Sequence, residues 1–519
     1  MLNRNPRRAK ARVTSLEVGM MIILWCVGIF LFVYTNSYSK NILNYNDIYK
    51  ETMISSTNKT NKKTLEKVSV SSELQSDVSD GTFNSLPVIY RKRNQMHSTY
   101  SCIGENFRDD AWFFRSCSFR NLCFDTSDRT FVIFQSPEQS TFQQSFAKQD
   151  ILHTHSSSTG NLTVSIGGIN PKWQGARKKL KWFPKVLSSR KLEEDGYYEL
   201  PQNSVWIPFH SFAGHNVGHL VWDDFFPIFK LLTLFHFLSA EGPNDKEDLL
   251  LVLTKVELKL WGTCDWNPAK IPMCIKNFNK FLPAMGVAND TFSSQNMTQL
   301  NTIDEQKSNF VCAPRGAAGM GMLTDHGLKM HGWDDEDYET THNAGRGPVF
   351  YQFRNFLLQN LGISSRHLSG PPFKLLFSRF SSNTRGRVVG FGKQEVVLKK
   401  SFSPEELQVS SCRMSDMTLY DQANITSDAA IFVTVVGGGA MTATFLPYGS
   451  SLIAIYESKG GRKRNKETNR PARLDWDVLN HASHIRVHWL PIETFDHPAS
   501  INFFRDLVRH ELIIIKSLI

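Results

Sequence analysis

The sequence has no Cys-x-x-Cys pair, so the close thiolates of a structural zinc site are missing. It carries no RNP, zinc-finger or helix-turn-helix signature, and the formal charge of +10 is not read as a nucleic-acid footprint. Residues 1–17 hold Arg4, Arg7, Arg8, Lys10 and Arg12 against Glu17, five minus one, which leaves +6 for all the rest. No Gly-Lys-Ser/Thr follows a glycine run, which excludes a P-loop, and no internal repeat is present. One N-terminal stretch is uncharged and strongly apolar. With 41% hydrophobic and 21% charged residues, the chain is neither polytopic nor disordered as a whole.

That one stretch is Val18 to Tyr34, VGMMIILWCVGIFLFVY, and the next charge comes only at Lys40. About 20 residues of helix cross the ~30 Å hydrocarbon core. The basic residues ahead of it predict a cytosolic N-terminus, with Trp25 and Tyr34 at the interfaces. The expected order is a tail over 1–17, a transmembrane signal-anchor over 18–36, and everything after it lumenal. A cleaved signal peptide is the alternative, although no small-x-small cleavage site follows promptly. Sequons at Asn58, Asn161, Asn289, Asn296 and Asn424 all fall on the lumenal side. So do seven of the eight cysteines, Cys102, Cys117, Cys123, Cys264, Cys274, Cys312 and Cys412. In an oxidising compartment they predict two or three disulfides and at least one free thiol. Cys264 with Cys274, and a pair within Cys102–Cys123, are the local choices.

Residues 37–96 are rich in Ser, Thr, Asn and Lys and read as a solvated stem. Folding is expected from 97. Short apolar runs at Phe131–Phe134, Val164–Ile166, Val205–Ile207 and Leu249–Leu253 resemble strands buried on both faces, which predicts a parallel sheet. Leu220–Leu238 predicts a helix kinked at Pro227, or two helices joined there. A second unit over 371–519 reads as strand Phe373–Phe377, a helix starting at Ser403-Pro404-Glu405-Glu406, strand Ala430–Val435, a glycine turn, a short helix to Leu446 and strand Leu452–Tyr456. The fold class is α/β, two Rossmann-like lobes (97–370 and 371–519) facing across a cleft.

Three segments carry candidate chemistry. In HSFAGHNVGHLVWDD a helix beginning near Asn216 brings His215, His219 and Asp223 to one face, with Asp224 beside them. Imidazole and carboxylate so placed serve as a base and its orienting acid; zinc binding by His215, His219 and Asp223 is a second reading. The run Gly437-Gly438-Gly439 before Ala440 lets a backbone approach a diphosphate, with helix N–H groups behind it. Arg379, Arg385 and Arg387 follow a strand end, where guanidinium forks match phosphate oxygens. The acidic run Asp334-Asp335-Glu336-Asp337 has no strand ahead of it and reads as a surface loop, not a metal motif.

Together these segments resemble the family 61 glycosyltransferases, two-lobed GT-B enzymes of the secretory pathway. The likeness lies in His215-Asn216-x-Gly218-His219-x-x-Trp222-Asp223, in Ser378-Arg379 with Arg385, and in the glycine turn leading to Phe445-Leu446-Pro447-x-Gly449. The resemblance implies inverting transfer of xylose, arabinose or N-acetylglucosamine from a UDP-sugar to a glycan or glycoprotein hydroxyl in the Golgi or endoplasmic reticulum. It implies no metal and no cofactor beyond the UDP-sugar donor. His219 or Asp223 would be the base, His215 and Asp224 second choices, and Arg379, Arg385 and the Gly437–Ala440 backbone the donor site. Where that family carries His-Gly-Ala, this chain has Gly438-Gly439-Ala440, so an inactive carbohydrate-binding or scaffold protein of the same fold stays open. A sulfotransferase would want a phosphate loop early in the lumenal region, and none is found between His97 and Lys181.

Overall fold

The structure is a computed structural model. It describes residues 97–519 except 105–110, 136–161, 170–176, 239–256, 265–266, 288–308, 325–342, 365–366, 380–389, 457–470 and the single positions 179, 472, 493, 494 and 496. The tail, the anchor and the stem lie outside the described residues. Among those described, no helix is long and apolar enough to cross a membrane.

The first sheet has eight strands: β1 (Thr99–Gly104), β2 (Arg115–Asp125), β3 (Thr130–Gln135), β6 (Lys185–Ser188), β7 (Tyr197–Glu199), β8 (Ser204–Ser211), β9 (Glu257–Cys264) and β10 (Phe310–Ala318). Its main path runs β6-β3-β2-β10-β8-β9, with β1 on β2 and β7 on β10; β4 (Val164–Ser165) and β5 (Lys181–Trp182) pair separately. This sheet is mixed, not the Rossmann-like parallel sheet expected. β2 runs antiparallel to β1, β3 and β10, while β8 is parallel to β9 and β10. Only four residues join β2 to β3, and a connection that short can only reverse the chain. Cys102–Cys117 and Cys123–Cys312 bridge residues that sit directly opposite in antiparallel register. Cys264–Cys274 forms as expected, and among the described residues Cys412 is the free cysteine. Phe131–Phe134 and Val205–Ile207 lie in strands; Leu249–Leu253 lies outside the described residues.

The second sheet is β11 (Phe373–Ser378), β12 (Leu407–Cys412), β13 (Ile431–Val435), β14 (Ser450–Tyr456) and β15 (Ile485–Pro491), all parallel, in the order β12-β11-β13-β14-β15. Numbered within the sheet this is 2-1-3-4-5, the flavodoxin-like variant of the doubly wound fold, whose direction of winding reverses between β11 and β13. Side chains alternate along each strand. Phe373, Leu375, Phe377, Ile431, Val433, Ile453 and Ile455 meet Leu398 and the stripe Phe504, Val508, Leu512 and Ile515. That stripe belongs to the last helix, Pro498–Leu518, which starts with proline in its first turn behind the cap residue His497. Leu376, Phe432, Leu452 and Ala454 face the other way, into a core shared with Phe209, Leu220, Trp222 and Phe353 of the first part of the chain. One continuous core therefore fixes the two sheets against each other.

One local expectation is corrected and another is refined. Ser403-Pro404-Glu405-Glu406 is a turn, not a helix start: the Ser403 carbonyl accepts from Glu406 and Leu407 N–H, and β12 begins at once. The helix of that crossover is Gly392–Ser401, ahead of the proline. The helical run over 217–234 holds an α-helical turn (Val217–His219), a π turn (Leu220–Phe225) and helix α1 (Phe226–Leu234), so two helical segments join beside Pro227, which lies in α1's first turn. Proline withholds the N–H that an α-helix would give to the Asp223 carbonyl, and the wider π turn sits at that place.

Candidate functional site

Asn216 caps the turn that opens this helical run, its side chain accepting from Gly218 N–H at 3.0 Å. Four residues after His215, His219 Nδ1 meets Asp223 Oδ2 at 2.6 Å, with Asp223 fully buried and the His219 side chain only 14% exposed. Burial opposes a charge on this imidazole. The Asp223 carboxylate and its hydrogen bond, joined by the charge of Asp475, outweigh that and hold its pKa above the ordinary histidine value. Asp224 is the opposite case. Burial lifts its pKa well above the carboxylate range, Ser211 Oγ at 2.5 Å draws it partly back, and the neighbouring Asp223 lifts it further. Two adjacent acids thus differ: Asp223 lies against an imidazole whose charge it supports, and burial drives Asp224 toward its protonated form.

His215 lies just outside the capped turn. Its carbonyl and that of Gly214 both accept from Asn277 Nδ2 at 3.0 Å. His215, His219 and Asp223 do not close into a metal triad: among the described residues no group of three His, Cys, Asp or Glu is placed to hold an ion.

The glycine run leaves the end of β13 and opens a 3-10 helix, Gly438–Phe445. Gly437 has φ +124°, which a side chain rarely tolerates. Gly438 lies directly on the capped turn: a Cβ added there would fall 2.6 Å from Asn216 Oδ1, and one added at Gly218 would be 3.6 Å from Gly438 Cα. A Cβ at Gly439 would meet nothing within 4 Å, so that side of the turn is open. The Ala440 N–H is already given to the Gly437 carbonyl, so of the expected donor contacts it is Gly438 and Gly439, in the first turn of the helix, whose N–H groups lack intrahelical acceptors. Trp222 Nε1 donates to Thr444 Oγ1 at 3.1 Å, and buried Arg354 donates to the Phe445 carbonyl at 3.2 Å. The turn is thereby fixed to the same helical run that carries His219 and Asp223.

Arg379 follows β11, its N–H bonded to the Cys412 carbonyl at 2.7 Å and its guanidinium 3.5 Å from Glu395. Ser378 is the register partner of Thr434 on β13, so Arg379 leaves the same carboxyl edge from which Gly437 turns three residues later. That edge, between β11 and β13, is the reversal point at which doubly wound sheets open a ligand crevice. Arg385, Arg387, the 334–337 acidic run and the sequons at Asn58, Asn161, Asn289 and Asn296 lie outside the described residues. Asn424 is half-buried within helix Leu419–Thr426, and Thr426 of its sequon is fully buried.

Several residues at this site were not singled out in the sequence. Gly168 packs on the Asp223 carbonyl so closely that a Cβ would lie 1.6 Å from its oxygen. Asp475, buried on helix Arg473–Asn480, acts on His219 from 256 positions away; its only sequence signal is an acid inside an apolar helical stripe. Asn277 and Ser211 carry no local pattern at all.

No protein-family profile matches the chain, and no curated protein matches it. Solved structures give faint likenesses. One is to the rubredoxin:oxygen oxidoreductase of Desulfovibrio gigas, 8% identical with a TM-score of 0.22, covering 48% of this chain and 53% of that one. Another is to the Escherichia coli heptosyltransferase WaaC with ADP-2-deoxy-2-fluoro heptose, 9% identical with a TM-score of 0.24, covering 59% of this chain and 99% of that one. The first of these is spanned over about half its length. Likenesses at these scores decide neither fold nor activity, and the class of protein defined by the coordinates themselves is a mixed α/β protein with a doubly wound second sheet.

Proposed function

We propose that this chain is an inverting glycosyltransferase of the family 61 type. It would move a sugar from a UDP-sugar to a hydroxyl of a glycan or glycoprotein, anchored as a type II protein in the Golgi or endoplasmic reticulum membrane. The observation that carries the reading is the contact of Gly438 with the Asn216 cap: a backbone turn suited to an anion lies against the turn that holds His219 and Asp223.

In this reading the UDP lies on the open Gly439 side of the turn, at the β11/β13 edge. Its oxygens are met by the Gly438 and Gly439 N–H groups, with Arg379 from the adjoining edge and Arg385 added as the resemblance implies. His219 takes the proton of the acceptor hydroxyl as that oxygen attacks the anomeric carbon. The carbon–oxygen bond to UDP breaks on the opposite face, its electron pair leaving with the phosphate. Asp223 fixes the Nδ1 side of the ring and stabilises the imidazolium that forms. No metal enters, because guanidinium and main-chain groups neutralise the leaving diphosphate.

The test is turnover of UDP-sugars by the full chain, with and without EDTA, alongside His219→Ala and Asp223→Ala. Each substitution should lower turnover about 10²–10⁴-fold. The rival is a membrane-anchored carbohydrate-binding scaffold, favoured by the glycines that replace His-Gly and by the Ala440 N–H being already used. It predicts no turnover and no thermal shift with millimolar UDP, since a ligand selective for the native state must raise the melting temperature.

A further inference from the structure

Helix Ile271–Phe281 buries Cys274, Phe278 and Phe281 and carries the half-buried Asn277 between them. One amide nitrogen there donates to two successive carbonyls, Gly214 and His215, at 3.0 Å each, and an amide has a hydrogen for each. Those carbonyls immediately precede the cap residue Asn216. Cys274 stands three residues before Asn277, hence on the same helical face, and its sulfur would be 2.9 Å from a Cβ at Gly214. It is bridged to Cys264 at the end of β9. Cys264 is in turn the register partner of Ser211, whose hydroxyl reaches Asp224. Segment 211–216 is therefore held at its start by the sheet, under its middle by the disulfide, and at its end by Asn277.

We propose that Asn277 is a positioning residue of the proton-transfer site. Through the Gly214 and His215 carbonyls it sets the entry of the capped turn so that His219 stays on Asp223, and the Cys264–Cys274 bridge keeps the helix where Asn277 can reach. This rests on the transfer reading above. A three-residue α-turn leading into a π turn has few bonds of its own, so its orientation is set from outside. Displacing a reacting group by about 1 Å costs on the order of 10²-fold in rate. The residue type matters as well: an ionised Asp has no hydrogen to donate and would face two carbonyl oxygens. The disulfide adds a second consequence, that reduction loosens the same segment.

The test uses the full chain as wild type, Asn277→Ala, Asn277→Asp, and Cys264→Ser with Cys274→Ser. Three quantities are read: the pH midpoint of diethyl pyrocarbonate acylation at His219 by peptide mass spectrometry, hydrogen exchange over 211–223 and 431–456, and UDP-sugar turnover. Asp223 on the π turn and Asp475 on Arg473–Asn480 are the charges acting on His219, and neither is altered. Expected in both Asn277 variants are a His219 midpoint displaced toward the ordinary histidine value, exchange raised about tenfold over 211–223 and unchanged over 431–456, and kcat lowered about 10–100-fold with donor KM within about twofold. The double serine variant moves in the same direction. An unchanged midpoint and unchanged exchange in both Asn277 variants overturn the proposal, as does wild-type kcat in variants whose segment has loosened. A wild-type chain that turns over no UDP-sugar counts against the transfer reading alone; the His219 midpoint and the exchange then decide the clamp.

Discussion

Asp223 and Asp224 are neighbours in sequence and opposites in chemistry, because one finds an imidazole at 2.6 Å and the other, also buried, a hydroxyl at 2.5 Å. Burial drives Asp224 toward the protonated form, which resembles the amide, so Asp224→Asn should leave stability at neutral pH within about 1 kcal/mol of wild type. Asp223→Asn removes the charge that supports a buried imidazolium and should destabilise by about 3–5 kcal/mol wherever His219 is protonated. Urea unfolding of the two variants checks the pair, and equal losses would contradict the assignment. The sign with pH follows. A histidine with a raised folded value contributes fully below its unfolded value and loses that contribution as pH rises through the folded one, so the cost of Asp223→Asn shrinks at alkaline pH. The motif HNVGHLVWDD made both acids visible in the sequence, but nothing local said which would ionise. That is decided by Ser211, and by Asp475 from the other sheet's last crossover.

Among elements, the π turn Leu220–Phe225 stands on two conditions. Pro227 removes an α-helical donor from the Asp223 carbonyl, and the glycine at 168 lets another segment lie on that carbonyl. An alanine at 168 would put its Cβ 1.6 Å from a backbone oxygen, so one of the two segments must move. Gly168→Ala should therefore destabilise by about 1–3 kcal/mol and lower turnover more than stability alone explains, whereas alanine at the open Gly439 should leave stability nearly unchanged. Thermal unfolding beside turnover separates the two effects. Proline in an apolar helical run could be read from the sequence as a break. The choice of a π turn over a kink could not, since it depends on a glycine 59 positions earlier in the chain.

At the scale of the whole molecule, acid sensitivity concentrates where the sheets share their core. His484 is buried against Tyr351, 5.3 Å between rings, and neither ring nitrogen has a hydrogen-bond partner among the described residues. Burial, and secondarily the Arg354 cation, depress its pKa to about 3. Its folded value lies below its unfolded one, so the unfolded chain takes up a proton that the folded chain refuses. The stabilisation is complete above about pH 6.5 and is lost as pH falls toward about 3. Between pH 7 and pH 5 this amounts to about 2 kcal/mol, and His484→Phe should remove that share of the slope in urea midpoints. A variant as acid-sensitive as wild type would refute the assignment. Glu511 acts lower on the scale. Burial raises its pKa, but hydrogen bonds from His488, Ser451 and Arg486 outweigh this and hold it well below the usual range, so its contribution fades only as pH drops below the ordinary carboxylate value.

Local pattern by itself determined the strand–turn–helix–strand order over 430–456, a helix start near Asn216, the flexible turn at Gly437–Gly439 and the short-range disulfide Cys264–Cys274. Each of these depends on residues within about a dozen positions of one another, where backbone sterics, missing donors and side-chain period act directly. Tertiary structure decided the rest. It set the mixed first sheet, the Cys123–Cys312 bridge across 189 positions, the strand order that puts the winding reversal between β11 and β13, and the seating of Gly438 on the Asn216 turn. Those choices come from which apolar faces bury each other and which backbones can approach, and such pairings between distant residues leave no periodic mark in a single chain.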